Sequence, residues 1–194
     1  MTVFLISPAR CHSDRARQLL TSKRSALGAR IWEHSAPLGE IFTWLSSLYF
    51  RGKLTYARRF GAPLIMAPGL GLRAPETEIS AAMFRAMGGV EVETAAFVEP
   101  LVRDARLVAA QPGPVVLLGS IATGKYLSSL LEVFGDRLLF PSTFVGRGDM
   151  SRGGLLLRAA ASGDELAYAP VAGAVLHGAR PPKLSRKPRA AGPG

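Results

Sequence analysis

Residues Val115 to Tyr126 read VVLLGSIATGKY, four branched aliphatic residues that run into the spacing G-x-x-x-x-G-K. That spacing suits a phosphate: glycines let backbone N–H groups turn onto an anion, and the lysine reaches its oxygens. Nucleotide hydrolysis asks for more. A Ser or Thr hydroxyl must follow the lysine to hold Mg²⁺, and an acidic strand end must give a second metal anchor. Here Tyr126 follows Lys125, and no strand-like run ends in Asp or Glu. The stretch therefore reads as an anion- or base-facing loop in which Gly119, Ser120, Thr123 and Lys125 meet the ligand. A P-loop-like nucleotide enzyme is the alternative, and a plain strand-to-helix turn is the structural one.

Three other segments carry chemistry. PSTFVGRGDMSRGG (141–154) sets Arg147 and Arg152 on either side of Asp149 and holds Ser142. It reads as a loop that contacts phosphate or covers a substrate, with Asp149 as general base. Alternatively, Asp149 or Ser151 caps the next helix. SPARCHSDRAR (7–17) offers Ser7 to hydrogen-bond or act on a base, and Arg10 for phosphate. Cys11, the only cysteine, sits between Arg10 and His12 and reads as a spectator, since adjacent residues rarely make a nucleophile–base pair. YFRGKLTYARRF (49–60) interleaves cations with aromatics. That mixture binds a nucleic-acid strand or, more simply, makes a helix with a basic outer and an aromatic inner face. His12, His34 and His177 lie too far apart for a zinc-type site, so no metal or other cofactor is expected.

Four short apolar runs place these segments: Val3 to Ile6, Leu64 to Ala67, Val115 to Leu118 and Leu138 to Phe140. Unbroken runs of this length suit strands of a parallel sheet covered on both faces. Helical spacing marks Pro37 to Phe50, then Lys53 to Phe60 beyond Gly52, Phe97 to Gln111, Thr123 to Phe134, and about Arg152 to Ala161. Val90 to Glu93 alternates like an edge strand, and Tyr168 to Val175 suggests another short strand or irregular wrapping. Alternation of strand and helix gives an α/β fold, in which the loops after the strands all emerge at the carboxyl edge, where such sheets bind ligands.

The bulk properties set limits. At 194 residues and 48% hydrophobic, the chain suits one globular domain. It has no apolar run of bilayer length, and its N-terminus lacks the pattern of a secretion signal. One cysteine excludes a disulfide framework and fits a reducing cytoplasm. The net charge is +10, but five of the cations lie between Ala179 and Gly194, where there is no acid. The expected layout is a single domain over 1–177 and a disordered basic tail over 178–194. The remaining +5 or so points to DNA or RNA only weakly.

Two resemblances sharpen this. Leu117 to Ala122 (LLGSIA), followed after a helix by Phe140 to Ser142 (FPS), resembles the late part of the uracil-DNA glycosylase superfamily. That family has a Leu-Gly-x-x-Ala turn after one strand, a His-Pro-Ser loop after the next, and a parallel four-stranded sheet between helices. Phe140 stands where the family has His, and SPARC stands where it has the water-activating Gly-x-Asp-Pro-Tyr. The first half is similar to uncharacterised bacterial proteins related to the accessory domain of archaeal tRNA-guanine transglycosylases and archaeosine synthases. Ile6-Ser7-Pro8, Ser47 to Phe50 with Tyr56-Ala57, and Ile65 to Ala67 with Gly71-Leu72 and Pro75 carry that likeness. Together the resemblances imply a three-layer sandwich with a mainly parallel four-stranded sheet, and a nucleobase- or nucleic-acid-binding function that includes base cleavage or modification. A non-catalytic nucleic-acid-binding module is the rival reading.

Overall fold

The computed structural model describes residues 1–21, 25–121, 126–175, 178–179, 181–182 and 184. The four apolar runs are strands: β1 (Val3–Ile6), β3 (Ala62–Ala67), β6 (Val115–Leu118) and β7 (Leu138–Pro141). They pair in parallel in the order β3-β1-β6-β7, with Ile6 opposite Ile65 on one side and Leu118 on the other. Neighbouring side chains on a strand point to opposite faces. All four residues of β6 are buried, as are Phe4, Leu5 and Ile6 of β1, so both faces of the sheet centre are covered.

The sheet is larger than the apolar runs indicate and is mixed. β4 (Gly71–Arg73) and β8 (Tyr168–Pro170) add antiparallel at opposite edges, making six strands. The expectation of four strands is corrected accordingly. Both additions are three residues long, β4 with Leu72 between a glycine and an arginine and β8 with no buried residue, so neither makes an apolar run. Specific polar groups seat them instead. The Tyr56 and Tyr168 hydroxyls lie 2.7 Å apart, and Tyr56 accepts from the Leu166 N–H at 2.8 Å. Residues 90–93, expected as an edge strand, form a turn. Their alternation has no neighbouring strand to pair with. A separate two-stranded ribbon joins β2 (Ala36–Pro37) to β5 (Glu78–Ile79).

Helices fill the connections: α1 (Asp14–Thr21), α2 (Ala26–Glu33), α3 (Leu38–Phe60), α4 (Ala81–Gly88), α5 (Ala95–Ala109), α6 (Leu127–Phe134) and α7 (Asp149–Ser162). α3 packs against α7, and α5 against α6. The break expected at Gly52 lies instead at Ser47, whose φ of 48° and ψ of −117° kink α3. Gly52 has another task. A Cβ there would stand 2.7 Å from the Gly153 carbonyl oxygen of α7, and one on Gly153 would stand 2.9 Å from the Leu48 carbonyl oxygen. Two glycines thus let the backbones of α3 and α7 touch, which brings the first turn of α7 over the middle of α3. No helix among the described residues is long and apolar enough to cross a membrane.

Candidate functional site

A crevice of about 940 Å³ opens at the carboxyl edge of the sheet. The loop after β1 lines it with Ser7, Arg10, Cys11 and His12, and the start of α1 adds Arg15. The ends of the next two parallel strands contribute Pro68 and Ser120, and the turn before α5 adds Glu91 and Glu93. Tyr49, Lys53 and Tyr126 are buried side chains on its lining, and Asp149 stands at its rim. Three of the four post-strand loops therefore meet at one place. The fourth, after β7, runs into an adjacent groove of about 600 Å³ lined by Arg147, Asp149, Pro181, Pro182 and Leu184. Asp149 borders both.

The floor is built around Lys53, a residue only 2% exposed. Its Nζ lies 2.8 Å from the Ser7 carbonyl oxygen and 2.8 Å from Ser7 Oγ. It also sits 4.5 Å from the centre of the Tyr49 ring and 5.1 Å from that of Phe50. The helix dictates this position. Tyr49, Phe50, Leu54, Tyr56 and Ala57 are buried on the inner side of α3, and Lys53 follows Tyr49 by one turn, so it faces inward with them. Burial lowers its pKa from the usual 10.5 to about 7; Asp149 works against that shift, and Arg152 adds to it. Among the described residues no carboxylate comes within ion-pair distance of Nζ.

The Tyr126 hydroxyl approaches Ser7 from a third side, over Gly119. Burial pushes that phenol up to about 12, while Ser7 works against the shift, so Tyr126 stays a protonated phenol. Gly119 makes the triple contact possible: a Cβ there would lie 2.8 Å from the Tyr126 hydroxyl and 2.9 Å from Ser7 Cβ. Tyr49 completes the floor with a buried hydroxyl that finds no partner of hydrogen-bonding geometry. Arg152 is near enough to oppose the upward push of burial on this phenol but is not aligned as a proper donor. Cys11 is a buried thiol that donates to the Ala9 carbonyl, and burial raises its pKa to about 12, so it is no thiolate.

The residues singled out from the sequence divide into three groups. Ser7, Arg10, Ser120 and Asp149 line the crevice, and Gly119 lies directly beneath Ser7. Ser142, Arg147 and Arg152 are absent from its lining. Ser142 closes β7 onto the Ala167 carbonyl, and Arg147 donates to the Thr143 carbonyl and Ser151. Arg152 donates to the Phe144 carbonyl, stacks on that ring, and stands 3.8 Å from Asp149. Asp149 opens α7 in its first turn but is not the cap, a position that Gly148 takes. Thr123 and Lys125 lie outside the described residues, as does most of the tail. Lys53 and Tyr126 were not singled out as site residues. Lys53 did leave a signal, as a lone cation on the apolar stripe of a helix. Tyr126 stood only as a departure from the phosphate-loop pattern, and the structure turns it inward.

Comparison with protein-family models, curated proteins and solved structures finds no match to this chain.

Proposed function

We propose that the crevice holds one nucleotide unit of DNA or RNA, and that the chain is a base-handling protein with a glycosylase-like sandwich. The observation that carries this reading is the crevice's mixed lining above a floor of hydroxyls. Arg10 is exposed and its side chain makes no hydrogen bond or ion pair among the described residues, which leaves its planar guanidinium for phosphate. Arg15, steadied on the Trp44 ring at 5.1 Å, stands beside it. Glu91 and Glu93 come from a different segment and are also exposed. Carboxylates at that position accept the exocyclic N–H groups of a base. Ser7 and Ser120 add short hydroxyl contacts, and the volume falls within the range of small-molecule sites.

The position of the crevice agrees with this, because open α/β sheets gather ligands at the carboxyl ends of their strands. The phosphate-loop alternative is less well served. The hydroxyl after Lys125 belongs to a buried tyrosine turned toward Ser7, not to the Ser or Thr that would hold a metal.

Fluorescence anisotropy with short single-stranded DNA and RNA tests the reading. Binding that weakens steeply with salt and drops about tenfold in Arg10→Ala is expected, because each phosphate contact adds to counterion release. Salt-independent binding, or affinity unchanged in both Arg10→Ala and Arg15→Ala, removes the nucleotide reading.

A further inference from the structure

We infer that Ser7 and Lys53 are a nucleophile and its base, and that the crevice above them cleaves a carboxylic ester. The inference uses the same crevice but does not depend on a nucleotide being the ligand. It rests on four observations. Ser7 is the half-buried member of the pair and lines the crevice, whereas Lys53 lies behind it with Nζ 2.8 Å from Oγ. Lys53 has no carboxylate partner among the described residues, so nothing locks it as an ammonium ion. Its second hydrogen bond, to the Ser7 carbonyl, fixes the amine relative to the strand end that carries its partner. The Tyr126 hydroxyl and Ser7 close together over Gly119, which is bare so that they can.

Weak hydroxyl nucleophiles need an adjacent base, and a desolvated lysine is one of the few groups that supplies it at neutral pH. As an ammonium ion, Lys53 donates to both Ser7 oxygens. As a neutral amine it keeps the bond to the carbonyl, and the Ser7 O–H donates to its lone pair. Ser7 Oγ then bonds to the ester carbonyl carbon while its proton passes to Nζ and the carbonyl π pair moves onto oxygen. Collapse of the tetrahedral species breaks the bond to the alcohol, which leaves with the proton from Nζ. The acyl group stays on Oγ. Water attacks that acyl carbon, giving its proton to Nζ, and the carboxylic acid departs as Oγ regains a proton from Nζ. No oxidant, metal or co-reactant is required. The groups facing Nζ are Tyr49 and Phe50 on its own helix, Ser7 after β1, and Asp149 and Arg152 acting from α7; Tyr126 reaches the pair through Ser7.

The test uses the full chain, a fluorophosphonate probe and p-nitrophenyl acetate. A phosphonyl adduct on the Ser7 peptide is expected, with a burst of nitrophenolate and a rate that rises through about pH 7. Ser7→Ala abolishes both signals. Lys53→Met lowers the rate about 100-fold and removes the limb near neutrality, in line with the loss of a general base. The wild-type pH profile requires no variant to fold. Absence of an adduct at Ser7 between pH 6 and 9, or labelling of Lys53→Met at the wild-type rate, overturns the inference. Oligonucleotide affinity read on the same preparation reports the nucleotide reading separately, so either can fail alone.

Discussion

The molecule buries two charged side chains among its described residues, Lys53 and Asp104, and treats them in opposite ways. Asp104, on α5, accepts from the Leu72 N–H at 2.9 Å, from Arg73 at 2.8 Å and from Arg103 at 2.7 Å. Burial pushes its pKa up, but the donors from Arg103, Leu72 and Arg73 outweigh this and hold the carboxyl below its usual range. Gly71, at a φ of +89°, is bare because a Cβ would lie 2.3 Å from the Asp104 carboxylate. The result is a staple that fixes the edge strand β4 to α5. Lys53 has hydroxyl, carbonyl and ring contacts but no counter-charge, and its pKa moves toward neutrality. A buried charge that is fully paired holds a fold together. One left unpaired is held ready to lose its proton, at a cost in stability.

Breaking the paired region has the largest expected effect on stability. Asp104→Ala strands Arg73 and the Leu72 N–H, and costs about 3 kcal/mol in denaturant unfolding. It leaves Ser7 labelling unchanged. The acid limb carries the same information. A carboxyl with a depressed folded pKa contributes stability that is present above its unfolded pKa and lost as pH falls through the folded one. Wild type therefore loses more stability than Asp104→Asn on going from pH 5 to pH 2.

Lys53 has the opposite sign. Its folded pKa lies below its unfolded value of about 10.5, so the unfolded chain binds more protons between those two values and stability rises with pH there. Lys53→Met removes that penalty. Its stability relative to wild type should improve by about 2–3 kcal/mol as pH is lowered from 9 to 6. An equal difference at both pH values shows that Lys53 titrates normally.

Smaller changes sharpen the comparison. Gly52→Ala forces a methyl against the Gly153 carbonyl, should cost about 2 kcal/mol in thermal or denaturant unfolding, and slows Ser7 labelling by displacing Lys53. Tyr126→Phe removes the buried hydroxyl beside Ser7 and costs about 1 kcal/mol. The least effect is expected from Asp149→Asn, because this side chain is 70% exposed and only loosely paired with Arg152. Its measured unfolding midpoint should match wild type.

The sequence displays the frame of this molecule better than its edges or its floor. The four central strands are legible because burial on both faces requires unbroken apolar runs such as VFLI and VVLL. β4 escapes notice, and β8 is legible only as one of two readings of Tyr168 to Val175, because their places are set by Asp104 and by the Tyr56–Tyr168 contact, groups far away in sequence. Ser7, Arg10 and Ser120 can be read from their place after strands. Lys53 is hidden by its type. A lysine in a helix normally faces water, and only the phase of Tyr49, Phe50 and Ala57 shows that this one faces in. Arg147 and Arg152 show the converse. They have the composition of a phosphate site, but the carbonyls of Thr143 and Phe144 take up their donors.

The state of the Lys53 amine is the point on which the chemistry turns. NMR of the intact chain with labelled lysine, with the Lys53 signal assigned by its loss in Lys53→Met, follows that amine directly as pH is raised. A titration midpoint near 7, well separated from the surface lysines, is expected. A midpoint above 10 contradicts the pairing of Lys53 with Ser7 as base and nucleophile.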